Sequence, residues 1–516
     1  MGDHFQLAGI DPERLIGFAD FLRTSGYSEG GIAARLGIGD LSRVSLDMYP
    51  VYVRYRNLRE GTRLDRLIAL FLLQGALSLE VAEKALGAER LRFLEETGLL
   101  RSDEAGQSVA APVSIYPCSG LFLVTDHRFR HLERLRAGAA PDPVMYIGAD
   151  SYYLSRVLTR RPFDMALDLG TGSGIHALLL ARQGKKVVGV DSNPRAVNFA
   201  RFNALLNGIE NVEFLEGDIY GPVGGERFEV IVSNPPFVPS PVKKLSFRDG
   251  GTLGDEVLSR IIAGLPAHLA EGGICQIVTH LVEQKAIPYK EKLYGWLGDR
   301  NYNVLIMRFG GMNPQEYAVS QVKKTFGESY DRYETELRRW IDSYEENGIA
   351  RISGGVFNIE SNRTDSPAWY REEDTFPPTR AVGDRIDDRF HLMERLAGIR
   401  GFADLEGEIP EISPDALMVQ YFRCMKGRFE PFEARFAFQN PVFAPEFSVM
   451  PHVLQLLEYC DGRDEVWAIA HQYAEGKGEK LEAMEDFFLK TFQTMLEKGM
   501  IRLKDRTTPE DHGGAS

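Results

Sequence analysis

Between residues 165 and 307, short apolar runs alternate with helix-like segments, and two of the runs break directly into glycine or proline. This alternation constrains the fold more than any other feature. Parallel strands need a long crossover between them, and a helical crossover packs back onto the sheet. The runs predict strands at Met165–Leu169, Lys186–Asp191, Val212–Glu216, Val230–Ser233, Gly273–Thr279 and Asn303–Met307, with helices between, such as Gly174 to Gln183 and Pro194 to Asn207. The expected class is α/β: a doubly wound, Rossmann-like parallel sheet that binds ligands at the carboxyl ends of its strands. A helix over Ser329–Asn347 and an apolar run from Ile349 to Ile359 complete this unit, placed at 141–358.

The chain has 516 residues, enough for about three domains. Residues 1–140 predict a helical, winged-helix-like domain. Leu64, Leu67, Ile68, Phe71 and Leu72 recur at helical spacing, Ser78 caps a second helix through Leu86, and Leu91, Leu94 and Leu99 belong to a third. A two-stranded ribbon, Val109–Ile115 and Leu121–Thr125, follows the polar turn Ser102–Gln107. Such a module binds DNA, RNA or peptide, or serves as a packing or lid domain. The mixed charges of residues 89–96 favour the second use. After a linker from Ser361 to Pro367 and the run Phe376-Pro377-Pro378-Thr379, residues 380–505 predict a smaller α-rich module, again winged-helix-like. Its expected core includes Leu454, Leu457, Val466, Ile469, Phe487 and Leu496, and residues 506–516 form a polar tail.

Composition excludes several classes. The net charge of −14 argues against a generic nucleic-acid binder, although a local strip at Lys243, Lys244 and Arg248 would suffice for one. Cys118, Cys275, Cys424 and Cys460 are far apart and suit a reducing cytoplasm rather than a disulfide framework or structural zinc. His127 and His131 stand at helical spacing without a third ligand nearby, so no metal is expected. Neither a signal peptide nor a membrane span is expected.

Two segments carry chemistry. In the first, Asp168-Leu169-Gly170-Thr171-Gly172-Ser173-Gly174, glycines follow a buried strand where the chain must turn sharply and let a ligand approach bare backbone. It lacks the terminal Gly-Lys-Ser/Thr of a phosphate-binding Walker loop and only approximates the dinucleotide fingerprint G-x-G-x-x-G. Asp191 ends the next strand, where a carboxylate accepts from two ribose hydroxyls in either class of nucleotide site. Asp218-Ile219 after the third strand separates the classes better, since an Asp there can accept from an adenine amine while Ile219 packs on the ring.

The second segment is Ser233-Asn234-Pro235-Pro236-Phe237 at a strand end. An amide or aminopurine nitrogen is a poor nucleophile because its lone pair is delocalised. The side-chain carbonyl of Asn234 can accept one of its N–H groups and the Pro235 carbonyl the other, orienting the nitrogen and favouring pyramidalisation. Pro235 and Pro236 stiffen the loop, and Phe237 is placed to stack on a planar group.

Together these motifs resemble the class I S-adenosylmethionine-dependent N-methyltransferases of the Asn-Pro-Pro-aromatic, HemK-like small-domain branch. Val238-Pro239-Ser240-Pro241 and the glycine-rich Arg248–Glu256, before a helix carrying Arg260, resemble that branch too. The resemblance spans about residues 146–320, and Phe237 replaces the Tyr usual in HemK-type proteins. The Phe form also occurs in ribosomal-RNA guanine and tRNA adenine methyltransferases.

The resemblance implies an enzyme whose cofactor is S-adenosylmethionine. Asp168 would meet the methionyl ammonium, with Gly170, Thr171, Gly172 and Gly174 around the amino-acid moiety. Asp191 and Ser192 would lie at the ribose, Asp218 and Ile219 at the adenine, and Asn234, Pro235, Pro236 and Phe237 at the acceptor, with Asn234 touching the cofactor as well. The implied acceptor is a planar amine of a protein or peptide. An rRNA, tRNA or DNA base amine and a small metabolite are the alternatives. A dehydrogenase has no evident use for Asn234-Pro235-Pro236-Phe237, and the intact acidic set argues against a pseudoenzyme.

Overall fold

The computed structural model describes residues 7, 9–44, 48–49, 51–52, 61–127, 143–242, 247–323, 329–362, 367–439, 442–443 and 446–504. Lys243, Lys244, His131, the domain boundary near 140, most of the linker before Pro367 and the C-terminal tail lie outside the described residues.

The central element is an eight-stranded sheet. In chain order its strands are β1 Met165–Leu169, β2 Lys186–Asp191, β3 Val212–Glu216, β4 Phe228–Ser233, β5 Leu269–Gln284, β6 Tyr302–Met312, β7 Ile349–Ser361 and β8 Tyr370–Thr375. They lie side by side as β8-β6-β7-β5-β4-β1-β2-β3. From β5 to β3 the neighbours are parallel. Parallel strands covered on both faces read as near-continuous apolar runs, and Leu167, Leu169, Val188, Val190, Ile231 and Cys275 are all buried.

The far side differs from an all-parallel reading. Strand β7 runs antiparallel to both β5 and β6, with Cys275 opposite Ile359 and Val304 opposite Ile359. Apolar periodicity carries no strand direction, which is why the sequence did not reveal the reversal. The long ladder also extends β5 to Gln284 and β6 to Met312, past the ends read from hydrophobicity.

The register aligns the functional loops. On β1, Leu169 pairs with Val190 of β2 and with Ser233 of β4. Gly170, Asp191 and Asn234 therefore leave three adjacent strands at one level.

The chain divides into two compact units, and residues 1–363 fall in the first, so the N-terminal helices and strands β1–β7 form one body. Helices Pro12–Thr24, Glu29–Leu36 and Leu79–Leu86 are capped by the side chains of Asp11, Ser28 and Ser78. A three-stranded sheet pairs Ala76–Ser78 with Ser108–Ala110, and the latter with Arg101–Ser102. The expected ribbon is therefore displaced: its partner for Ser108–Ala110 is Arg101–Ser102. Val113–Cys118 and Leu121–Asp126 instead make a separate hairpin, turned by Ser119 and Gly120 with φ of 49° and 82°.

That hairpin is secured to the helix Pro194–Leu206. Asn203 donates to the Val124 carbonyl at 3.0 Å and accepts from the Val124 N–H at 2.8 Å. Asn207 repeats the pattern on Phe122 one turn later, at 2.8 and 2.9 Å. Two side-chain amides thus satisfy a buried strand edge that would otherwise lack partners.

The second unit holds residues 384–516 with two short pieces before them. Helices Pro451–Leu457, Val466–Lys477 and Leu481–Glu497 enclose Leu456, Phe488, Phe492 and Met495. Leu457, Val466, Ile469 and Leu496 are buried as expected, while Leu454 and Phe487 are only partly so. The α-rich expectation missed an antiparallel hairpin, Ala416–Met425 with Arg428–Phe438. Most of it is exposed, up to 76% at Phe429, so no buried face imposes a period of two on its sequence. Among the described residues no helix is long and apolar enough to cross a membrane, and the four cysteines are free thiols.

Candidate active site

A cavity opens at the carboxyl ends of β1, β2 and β4. Gly170, Thr171, Gly172 and Ser173 line it from one strand end, Asp191 and Ser192 from the next, and Asn234, Pro235 and Pro236 from the third.

The glycine loop needs its glycines. Gly170, Gly172 and Gly174 have φ of 69°, 57° and 85°, a region costly for residues with a Cβ. At Gly170 nothing lies within 4 Å of where a Cβ would stand, and at Gly172 the nearest atom is 4.0 Å away. The backbone there is open to a ligand. Gly174 serves packing instead, since a Cβ would come within 3.1 Å of Ala200 and 3.2 Å of Phe214. The Val190 carbonyl accepts from the N–H groups of both Gly170 and Thr171, at 2.8 and 3.0 Å.

Asp168 lies beneath this loop rather than in the cavity wall. Its Oδ2 accepts from the Thr171 hydroxyl at 2.7 Å and from the Ala177 N–H at 3.0 Å. Its Oδ1 is buried with no partner. Burial pushes its pKa up to about 6 against the lowering effect of those two bonds. An orphaned carboxylate oxygen under an open glycine loop fits an ammonium-bearing ligand.

Asp191 already holds the loop, accepting from the Gly172 N–H at 2.8 Å and the Asn193 N–H at 2.9 Å. A carboxylate offers about four acceptor sites, more than these two bonds use. Asp218 sits at the rim in a bidentate pair with Arg260, at 2.5 and 3.4 Å. Both side chains are more than half exposed, at 65% and 57%. Ile219 lines the cavity with a φ of 49°. A β-branched residue pays for that conformation, and such strain gathers at ligand clamps.

The half-buried Asn234 donates from Nδ2 to Asp150 Oδ2 and to Ser151 Oγ, both at 3.2 Å. Burial raises the pKa of Asp150, and the Asn234 hydrogen bond works against it. Nearby His176 is buried and its pKa is pushed down to about 4, so it stays neutral. The Asn-Pro-Pro loop is braced by the glycine-rich segment. Val238 donates to the Arg248 carbonyl at 2.9 Å and Gly250 donates to the Val238 carbonyl at 3.0 Å. A Cβ on Gly250 would stand 2.5 Å from the Pro236 carbonyl oxygen, and one on Gly254 would stand 2.3 Å from that of Phe237.

Phe237 lies apart from this cavity. Its ring packs on His280, centroids 4.6 Å apart, and His280 meets the Tyr317 hydroxyl at 2.9 Å. The aromatic rings that do line the cavity are Tyr146 and Phe247. Sequence reasoning missed Phe247, and also Asp150 and Ser151, which precede β1 on the helix Ala149–Val157. The usable signal was Gly148-Ala149-Asp150-Ser151, a small-polar helix start just before the first strand. Among the described residues no cluster of acidic, His or Cys side chains could hold a metal ion.

Residues 147–304 match the family model of the methyltransferase small domain. A Methanocaldococcus jannaschii protein with the provisional name protein N5-glutamine methyltransferase is 43% identical over 119 residues, 22% of this chain and 59% of that protein. The release factor glutamine methyltransferase of Geobacter sulfurreducens is 37% identical over 134 residues, 23% of this chain and 47% of its own. The ribosomal RNA small subunit methyltransferase C of Alcanivorax borkumensis is 32% identical over 133 residues, 26% of this chain and 35% of its own. The chain thus spans less than two thirds of the length of these relatives. A ribosomal protein L11 methylase structure from Lactobacillus delbrueckii subsp. bulgaricus superimposes on 30% of this chain and 68% of its own, at 24% identity and a TM-score of 0.22. With the strand order, glycine loop and Asn-Pro-Pro turn described above, residues 147–304 form a methyltransferase small domain similar to that of the HemK-like glutamine methyltransferases.

Proposed function

We propose that this chain methylates a planar nitrogen, the side-chain amide of a protein or peptide, using S-adenosylmethionine. One observation carries the reading: the open glycine loop, Asp191 and Asn234-Pro235-Pro236 line the same cavity. A cofactor held by the first two would face an acceptor held by the third. The names of the glutamine methyltransferase relatives favour an amide acceptor.

The bound cofactor supplies an electrophilic methyl on a sulfonium. The protein's share is binding and orientation. Asp168 Oδ1 would take the ammonium, directly or through water. Asp191 and Ser192 would take the ribose, and Asp218 the adenine amine in place of Arg260, with Ile219 against the ring. The carbonyls of Asn234 and Pro235 would each accept an N–H of the acceptor, localising its lone pair towards the methyl group. The nitrogen becomes acidic once methylated, and its proton leaves to solvent without a strong base. We assign the stacking role proposed for Phe237 to a ring of the cavity wall, Phe247 or Tyr146, because Phe237 does not line the cavity.

We read residues 1–140 as a winged-helix-like domain, 141–358 as the methyltransferase domain and 380–505 as a third module. The hairpin and helix contacts support a scaffolding role for the first. A reducing cytoplasm suits the four free thiols. A base amine in RNA is the second reading, favoured by the likeness to the ribosomal RNA methyltransferase.

Calorimetric titration with S-adenosylmethionine and, separately, NADH tests the cofactor, with binding of the first alone expected. Transfer of tritiated methyl to lysate, treated in parallel with protease or nuclease, then separates the acceptors. Protease-resistant, nuclease-sensitive label would overturn the protein reading in favour of RNA.

A further inference from the structure

A primary amide has two ends of nearly the same shape. One accepts hydrogen bonds and the other donates, so whatever grips one end decides which end a substrate meets. At Asn234 the grip is visible. Nδ2 lies 3.2 Å from Asp150 Oδ2 and 3.2 Å from Ser151 Oγ. An ionised carboxylate can only accept, so the NH2 end must face it. Turning the amide over would set two acceptor oxygens against each other in a half-buried site. Both N–H groups are thereby used, and Oδ1 is the end left for another partner.

The helix presenting Asp150 and Ser151 is itself held from several sides. The Ser151 carbonyl meets His176 Nε2 at 3.1 Å, the Tyr152 hydroxyl donates to the Pro117 carbonyl at 3.1 Å, and Gln276 donates to the Val157 carbonyl at 2.7 Å. Gly148 leaves the carboxylate its place: a Cβ there would stand 2.5 Å from Asp150 Oδ1.

We infer that Asp150, assisted by Ser151, is a positioning residue that locks the Asn234 side chain with its carbonyl towards the acceptor nitrogen. This deepens the N-methyltransferase reading and rests on it for its consequence in turnover. Asp150 acts through Asn234 alone. It belongs to the first turn of a helix, where a carboxylate also has structural value, so the test must separate the two roles.

Two arms do so, with Asp150→Ala and the near-isosteric Asp150→Asn. The first needs no acceptor. In protein labelled with 15N-asparagine, the side-chain NH2 pair missing from Asn234→Ala belongs to Asn234. Its hydrogen exchange should rise at least about tenfold in Asp150→Ala, as expected for a lost charge-assisted bond. An unmoved pair would overturn the inference.

The second arm is a double-mutant cycle on methyl transfer. Asp150→Ala should lower kcat by about 10- to 100-fold, the scale on which outer hydrogen-bond partners act, with cofactor affinity within about twofold. In an Asn234→Ala background it should cost nothing more. Asp150→Asn should recover part of the loss, because its carbonyl can still accept from Asn234. Additive losses in the double variant would mark a structural role and sink the proposal. Failure of the wild-type protein to methylate any planar nitrogen would count against the proposed function alone, and the exchange arm would still decide the lock.

Discussion

Arg195 grips Asp126 through two hydrogen bonds of 2.8 Å each, and Asp126 also accepts from the Val144 N–H at 2.8 Å. Val144 lines the cavity. The buried hairpin of the N-terminal region therefore fixes part of the cavity wall, and the region is structural to the site. Replacing Arg195 by Met leaves Asp126 largely buried without its partner. Stability should fall by about 2 kcal/mol, below the full cost of breaking a wholly buried pair because both groups keep some solvent. Urea unfolding checks this, and calorimetry should find weaker cofactor binding in the same variant.

Asn234→Ala should reduce turnover about 100-fold or more while leaving cofactor affinity nearly intact, as when one donor or acceptor at the reacting centre is lost. Steady-state kinetics paired with a binding isotherm measures both. Unchanged turnover would remove Asn234 from the chemistry.

Asp191→Ala acts at the other end. It loses the acceptor for the Gly172 and Asn193 N–H groups and, on the proposed function, the ribose contact. Cofactor Kd should rise by roughly 10- to 100-fold, in line with about 1.5–3 kcal/mol for hydrogen bonds to a charged group. Equal affinity in mutant and wild type would dismiss the ribose role.

Asp168 gives a pH signature. Its folded-state pKa is raised by burial to about 6 from an ordinary 3.8. Stability linked to it is present below about pH 4 and is lost as pH rises through about 6. Relative to Asp168→Asn, which cannot ionise, wild-type protein should lose roughly 2–3 kcal/mol between pH 4 and pH 7 in the absence of cofactor. Chemical unfolding of both proteins at pH 4, 5, 6 and 7 measures the difference, and parallel curves would show that Asp168 is not held in this way.

The catalytic half of the fold was legible because parallel strands must be apolar on both faces and must end in turns. That exposed Gly170, Asp191 and Asn234 at strand ends, and the register then set them at one level. Other features left no local trace. The reversal of β7 is a matter of chain direction, which periodicity does not encode. The Ala416–Phe438 hairpin buries too little to need an alternating pattern. Asp150 and Ser151 lie more than eighty residues before Asn234 and meet it only in the folded chain. Phe237 was read as facing the acceptor because it continues the motif, but the loop turns its ring onto His280.

The exposed pair of Arg260 and Asp218 carries a last consequence. Ion pairs this open to water add little net energy, so an incoming adenine could displace the guanidinium at small cost. The exchange would still be sensitive to ionic strength. Added salt screens the Arg260 guanidinium from Asp218, so cofactor binding should tighten as salt rises, and Arg260→Ala should abolish that dependence.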